Sequence, residues 1–301
     1  MRLVESDDQA AGLRRLLGDR SALRTVGVFG VDAGLNAMAG ASLAFALAQR
    51  TAGVCVLDEA PGPRNVAGQF GLAPRHGLAD VLHGRLGLDE AMLTAPAGIG
   101  LLRVEQGMRW AAETDERVWS GLADDFARTD WSWMLLGSAA DPRGGFALTA
   151  QRRLLVLPAS RSRLTDSYAI IKSVQQEQPE GYWQVMLVNV TDEGRAALLA
   201  DTLAETTRRF LGVDIGLLGL IPRDASLETA AKSMRPVLDA APASPAANAF
   251  REVAETMHGW PPLEAGMDVR AFWQRMGLYG RLHGRPATPP QRQPRHGRVY
   301  G

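Results

Sequence analysis

The stretch Gly30-Val-Asp-Ala-Gly-Leu-Asn-Ala37 comes nearest to a chemical site. It lies between an apolar run, Thr25 to Phe29, and an alanine-rich segment, Met38 to Arg50. A glycine-bearing loop leading from a strand into a helix is an anion site in waiting. Backbone N–H groups converge there, and the helix N-terminus is the positive end of its dipole. Chemistry on a bound phosphate asks for more: a lysine against the β and γ oxygens, a Ser or Thr hydroxyl on Mg²⁺, and carboxylates that hold the metal's water. The stretch offers neither the lysine nor the hydroxyl. The first lysine of the chain is Lys172, and Asp32 would face a phosphate with a negative charge. A further carboxylate, Asp58, ends the next apolar run, Val54 to Asp58.

To bring Gly30 and Asp58 together the chain needs a strand, a short loop, a helix and a parallel strand, which is a βαβ unit. Downstream, Trp131 to Leu136, Leu154 to Pro158, Gln184 to Val190 and Gly216 to Ile221 read as strands. Thr165 to Gln178, Glu193 to Leu211, Ser226 to Ser233 and Asn248 to Met257 read as helices between or after them. This alternation predicts an α/β fold, a single domain with a mostly parallel sheet of about seven or eight strands flanked by helices.

Composition agrees. Of 301 residues 46% are hydrophobic, enough for a buried core, and 33 basic side chains balance 33 acidic ones. A zero net charge supplies no global field for nucleic acid, so no direct nucleic-acid binding is expected. The single cysteine, Cys55, sits in an apolar strand, and no metal-ligand cluster is visible. With no signal peptide and no long apolar run, the reading is a reduced, cytoplasmic, soluble protein.

From about Thr25 to Met257 the chain resembles the MinD/ParA-type ATPases, and in particular their FlhG/FleN flagellar-number regulators. The matching segments, in order, are Gly40-Ala-Ser-Leu-Ala-Phe-Ala-Leu-Ala-Gln, Val56 to Val66, Phe70 to Leu82, Arg163 to Ala169, Leu187-Val-Asn189, Leu218 to Asp224 and Arg235-Pro-Val237. Laid on the family's motif G-K-G-G-V-G-K-T, only Gly30 is kept. Val31 and Asn36 stand at the lysine positions and Ala37 at the Mg²⁺ hydroxyl. The family's D-A-D reads Asp58-Glu59-Ala60, losing its second acid, and Glu59 would point the other way from a strand. Gly137 stands at the aspartate that ends the next strand, and Asp141 comes four residues too late. These losses all fall on groups that touch phosphate, Mg²⁺ or water, so the resemblance implies a pseudo-ATPase with no catalytic or metal residue. The family's ATP and Mg²⁺ are not expected as cofactors, and Asp58 is expected to serve as a carboxylate hydrogen-bonded to nearby backbone. On the adenine side, Asn189 and Pro222 match the family's base-flanking positions, which leaves room for weak metal-free nucleotide binding. An asparagine closing a strand is equally a turn-former.

Residues 1 to 23 precede this core. There Ser6 or Asp7 is placed to cap a short helix with Leu13, Leu16 and Leu17 on one side. Asp8, Gln9, Ala10, Leu13 and Arg14 match the family's D-Q-A-x-x-L-R motif, which implies docking on an FlhF-type GTPase and stimulation of its GTP hydrolysis. After the core of residues 24 to 258, residues 259 to 284 read as a linker and an amphipathic helix, with Val269, Phe272, Trp273, Met276 and Tyr279 on one face. Three coverings suit that face: an anionic membrane, as in MinD-type proteins, a partner, or the chain's own domain. The first would place the protein peripherally at the inner membrane or cell pole. Residues 285 to 301 read as a disordered basic tail. The resemblance implies restraint of flagellar number or placement through an FlhF-type GTPase and a FleQ-type transcription activator. An atypical ATPase in a positioning system and a MinD-like adaptor unrelated to flagella are the alternative functions.

Overall fold

The computed structural model describes residues 23–62, 64–138, 145–261, 263 and 267–283. The Asp8 to Arg14 motif and the basic tail lie outside the described residues. β1 (Arg24–Gly30), α1 (Ala33–Ala48) and β2 (Val54–Asp58) make the expected first crossover. Short helices α2 (Val66–Gln69), α3 (Leu78–Leu82) and α4 (Leu88–Ala91) precede a hairpin of β3 (Leu93–Ala95) and β4 (Ile99–Arg103). Helices α5 (Gly107–Glu113) and α6 (Glu116–Phe126) lead to β5 (Trp133–Gly137). β6 (Arg152–Pro158), α7 (Leu164–Glu177), β7 (Tyr182–Val190), α8 (Glu193–Leu211) and β8 (Ile215–Pro222) then alternate. Four helices follow among the described residues: α9 (Ala225–Lys232), α10 (Val237–Ala240), α11 (Pro245–His258) and α12 (Val269–His283).

The eight strands form one sheet in the order β3-β4-β2-β5-β1-β6-β7-β8, parallel at every pairing except β3 with β4. Alternate side chains of the central strands serve two cores, as strands buried on both faces require. Val26, Val28, Leu154 and Val156 pack with α1 and α11, while Phe29, Leu155 and Leu157 pack with α6, α7 and α8. Because β5 lies between β1 and β2, and β6 lies on the other side of β1, the winding reverses at the C-terminal end of β1. Such a switch point opens a crevice in doubly wound sheets. Pairing of Val28 and of Asp58 with Gly137 brings the ends of β1, β2 and β5 together there.

One sequence reading changes, and one open choice is narrowed. The alanine-rich helix begins at Ala33, not Met38, so most of the expected loop is helix. The amphipathic C-terminal helix is not a separate appendage: α12 packs against α5 and α6, burying Val269, Phe272, Trp273 and Met276, with Tyr279 half-buried. Of the three coverings open to that face, its own domain is the one the molecule uses. Trp273 is fully buried among Trp119, Phe126, Phe146 and Phe272, with ring centroids 4.5 to 5.9 Å away, and Trp119 Nε1 donates to its carbonyl oxygen. Gly277 and Gly280 allow the approach, because a Cβ at either would lie 2.4 Å from Trp119 or Ala111. Among the described residues no helix is long and apolar enough to cross a membrane.

Candidate functional site

The site at the switch point is built from the turn after β1, the end of β2 and the end of β5. Only Val31 and Asp32 separate β1 from α1. Asp32, extended at φ −124 and ψ 113, caps the helix: its Oδ1 accepts from Leu35 N–H at 2.8 Å, and its carbonyl accepts from Asn36 N–H at 2.9 Å. A carboxylate thus already sits at the positive helix end that a phosphate would use. Asn36 then folds back, its Nδ2 donating to Gly30 O at 3.1 Å. Only glycine permits this at position 30, since a Cβ would come within 2.2 Å of Asn36 Oδ1.

Asp58 is 1% exposed and turned entirely to backbone, as the sequence suggested. Its Oδ1 accepts from Ala60 N–H at 3.1 Å, and its Oδ2 accepts from Val66 N–H at 2.6 Å and Ala67 N–H at 3.4 Å. Burial pushes its carboxyl up to about 6, against the pull of those three donors. Gly137 lies opposite, where a Cβ would stand 3.3 Å from Asp58 Oδ1, so an aspartate there would meet the charge head-on.

Between them, among the described residues, Val28, Ala37, Val56, Ala60 and Leu135 line a cavity of about 10 Å³ together with Asn36, Asp58 and Ser138, room for roughly one water. Magnesium and a triphosphate do not fit these residues. The carboxylate is committed to the backbone, the hydroxyl and both lysines are replaced, and the described cavity is too small for either. Among the described residues, no cluster of His, Cys, Asp and Glu could hold a metal elsewhere.

Glu59 points away from this cavity, as its strand position requires. Its burial goes beyond the sequence reading. It is 4% exposed on the opposite face, Oε1 accepting from Phe146 N–H at 2.8 Å and Oε2 without a hydrogen-bond partner among the described residues. Burial, with Asp58's charge adding to it, drives the carboxyl up to about 8. An acid directly after an apolar strand was the available signal.

On the adenine side the pairing of Val190 with Pro222 sets Asn189 and Pro222 at neighbouring ends of β7 and β8. Asn189 is exposed, at φ 61, at a β-bulge between Val188 and Val190 near the end of β7. Pro222 lines a cleft of about 330 Å³ with Val190, Glu193 and Asn248, and Asn189 is not in its lining.

A parallel sheet with a strand-to-helix turn at its switch point is the architecture of the MinD/ParA ATPases. The chain is similar to MinD of Aquifex aeolicus in its complex with MinC (TM-score 0.59, 20% identity, covering 80% of this chain and 98% of that one). It is also similar to MinD of Pyrococcus horikoshii OT3 solved with Mg-ADP (TM-score 0.59, 18% identity, 79% and 96%). At these identities the likeness speaks for the fold. No family model matches the chain. In sequence, it is 32% identical over 227 residues to the antiactivator FleN of Pseudomonas aeruginosa PAO1, covering 73% of this chain and 80% of FleN. The chain belongs to the FlhG/FleN-like members of the MinD/ParA family.

Proposed function

We propose that the chain is a FleN-type antiactivator working as a pseudo-ATPase, one that restrains a FleQ-type transcription activator by protein contact alone. The phosphate site filled by the chain's own Asp32, Asn36, Ala37 and Ala60 carries this reading. Charge-assisted phosphate contacts contribute roughly 1.5 to 3 kcal/mol each, so their joint loss removes most of the affinity for ATP. Without that ligand no conformational cycle can be driven, because a ligand shifts an equilibrium only by its differential affinity for the two states. Binding of the chain to the purified activator should therefore be the same within twofold with no nucleotide, with ADP and with ATP·Mg²⁺. Affinity that rises tenfold or more with ATP·Mg²⁺ would defeat the reading.

Asp8 to Arg14 supports a second contact, with an FlhF-type GTPase. A peptide of residues 1 to 23 should accelerate GTP hydrolysis by that enzyme, and Gln9→Ala should abolish the gain, since glutamines orient the attacking water in other GTPases. A peptide without effect removes this arm and leaves antiactivation standing.

A further inference from the structure

We infer that the groove between the segment after β2 and the α9–α10 turn docks an acidic segment, with an apolar side chain, on the transcription activator. The inference rests on the antiactivator reading. The groove encloses about 640 Å³. Gln69 and Leu72 stand on one wall, Ala231 and Met234 on the other, and Arg103 and Glu105 come from the end of β4. It is separate from the filled cavity at the switch point.

Met234 supplies the first argument. It lies just beyond the end of α9, with φ 51, a backbone state that helix ends ordinarily give to glycine. Its N–H donates to Ala231 O at 3.2 Å, and Arg235 N–H donates to Ala230 O at 3.1 Å, so the turn is well made without needing methionine. The side chain, 56% exposed, gives the core little in return. A flexible, polarizable side chain at a strained position beside an open groove points to use outside the fold. Opposite it Gly71, at φ 67, brings the walls together: a Cβ there would stand 3.6 Å from Met234 O.

Charge supplies the second. Arg64 stands between lining residues Gly62 and Asn65, and Arg75 follows lining Pro74. Both are exposed and have no ion-pair partner among the described residues, nor has half-buried Arg103. Lys232 follows Ala231 on the far wall. Against Arg64, Arg75, Arg103 and Lys232 the groove sets one acid, Glu105. Such a rim attracts carboxylates and speeds encounter with them, while Met234 and Leu72 accept an apolar side chain.

The test immobilises the purified FleQ-type activator and measures binding of the full chain by biolayer interferometry at 50 mM and 300 mM salt. Met234→Gly should weaken binding about tenfold while leaving the melting temperature unchanged or raised, since glycine suits that φ. Arg64→Glu with Arg75→Glu should weaken it about a hundredfold at low salt, mainly through the association rate. Both variants binding as wild type overturns the inference and leaves antiactivation intact. A wild-type chain that does not bind the activator defeats the antiactivator reading and this inference with it. If the arginine variant changes only self-association of the chain, the groove serves a second copy and the inference falls.

Discussion

Replacing Trp273 with alanine should lower the unfolding free energy by about 3 to 5 kcal/mol, the usual loss for a large aromatic removed from a core. The indole is fully buried among four aromatic rings, and the Trp119 indole N–H donates to its carbonyl, so truncation opens a cavity where α12 crosses α6. Met276 one turn on, also fully buried with Thr149 Oγ1 2.8 Å from its sulfur, should lose packing with it. Urea unfolding of the two proteins measures the difference as a shift in midpoint. A helix kept for a membrane would give another result: thermal stability within about 0.5 kcal/mol of wild type, the range of surface substitutions. The exposed pair of Arg270 with Asp124, 2.7 Å apart and about one turn before Trp273 on the helix, contributes little and should not mask the effect.

Glu59→Gln should stabilise the protein at alkaline pH and flatten its pH dependence. Burial raises the Glu59 carboxyl from 4.5 to about 8 in the folded protein, and Asp58 beside it from 3.8 to about 6. For a raised acid the unfolded chain releases its proton first, so stability falls as pH climbs from about 4.5 towards 8 and then levels. A tenfold difference in proton affinity between the folded and unfolded chain corresponds to about 1.4 kcal/mol, so the wild-type loss across this window is several kcal/mol. Glutamine keeps the acceptor for Phe146 N–H and carries no charge. The variant should match wild type near pH 4.5, exceed it by several kcal/mol at pH 8, and retain only the shallower decline of Asp58 between about 4 and 6. Denaturant midpoints at half-unit pH steps test this, and parallel wild-type and variant profiles would contradict the burial of Glu59.

Much of this architecture was legible in the chain. The β1, β2 and β6 runs are apolar on both alternating faces, as strands covered by helices on either side must be. The missing lysines, the missing hydroxyl and Gly137 in place of an acid were equally visible, because charge chemistry depends on residue type. What escaped was geometry set by competition. Asp32 is a strong N-cap three residues before Leu35, and that local hydrogen bond decided where α1 starts. The amphipathic face of α12 was readable, but its covering was not, since lipid, partner and own core all accept the same apolar stripe. Gly277 and Gly280 on that helix were the hint of close helix contact. The Glu59 side chain could be assigned a face but not a depth, which depends on Phe146 arriving from far along the chain.

Calorimetric titration of the full chain with ATP and excess Mg²⁺ bears most directly on the filled phosphate site. No heat of binding is expected at ligand concentrations up to about a millimolar, with ADP behaving the same way. Micromolar affinity that requires magnesium would mean that Asp32 and Asn36 leave the end of β1 to admit a triphosphate, and the chain would then be an atypical ATPase.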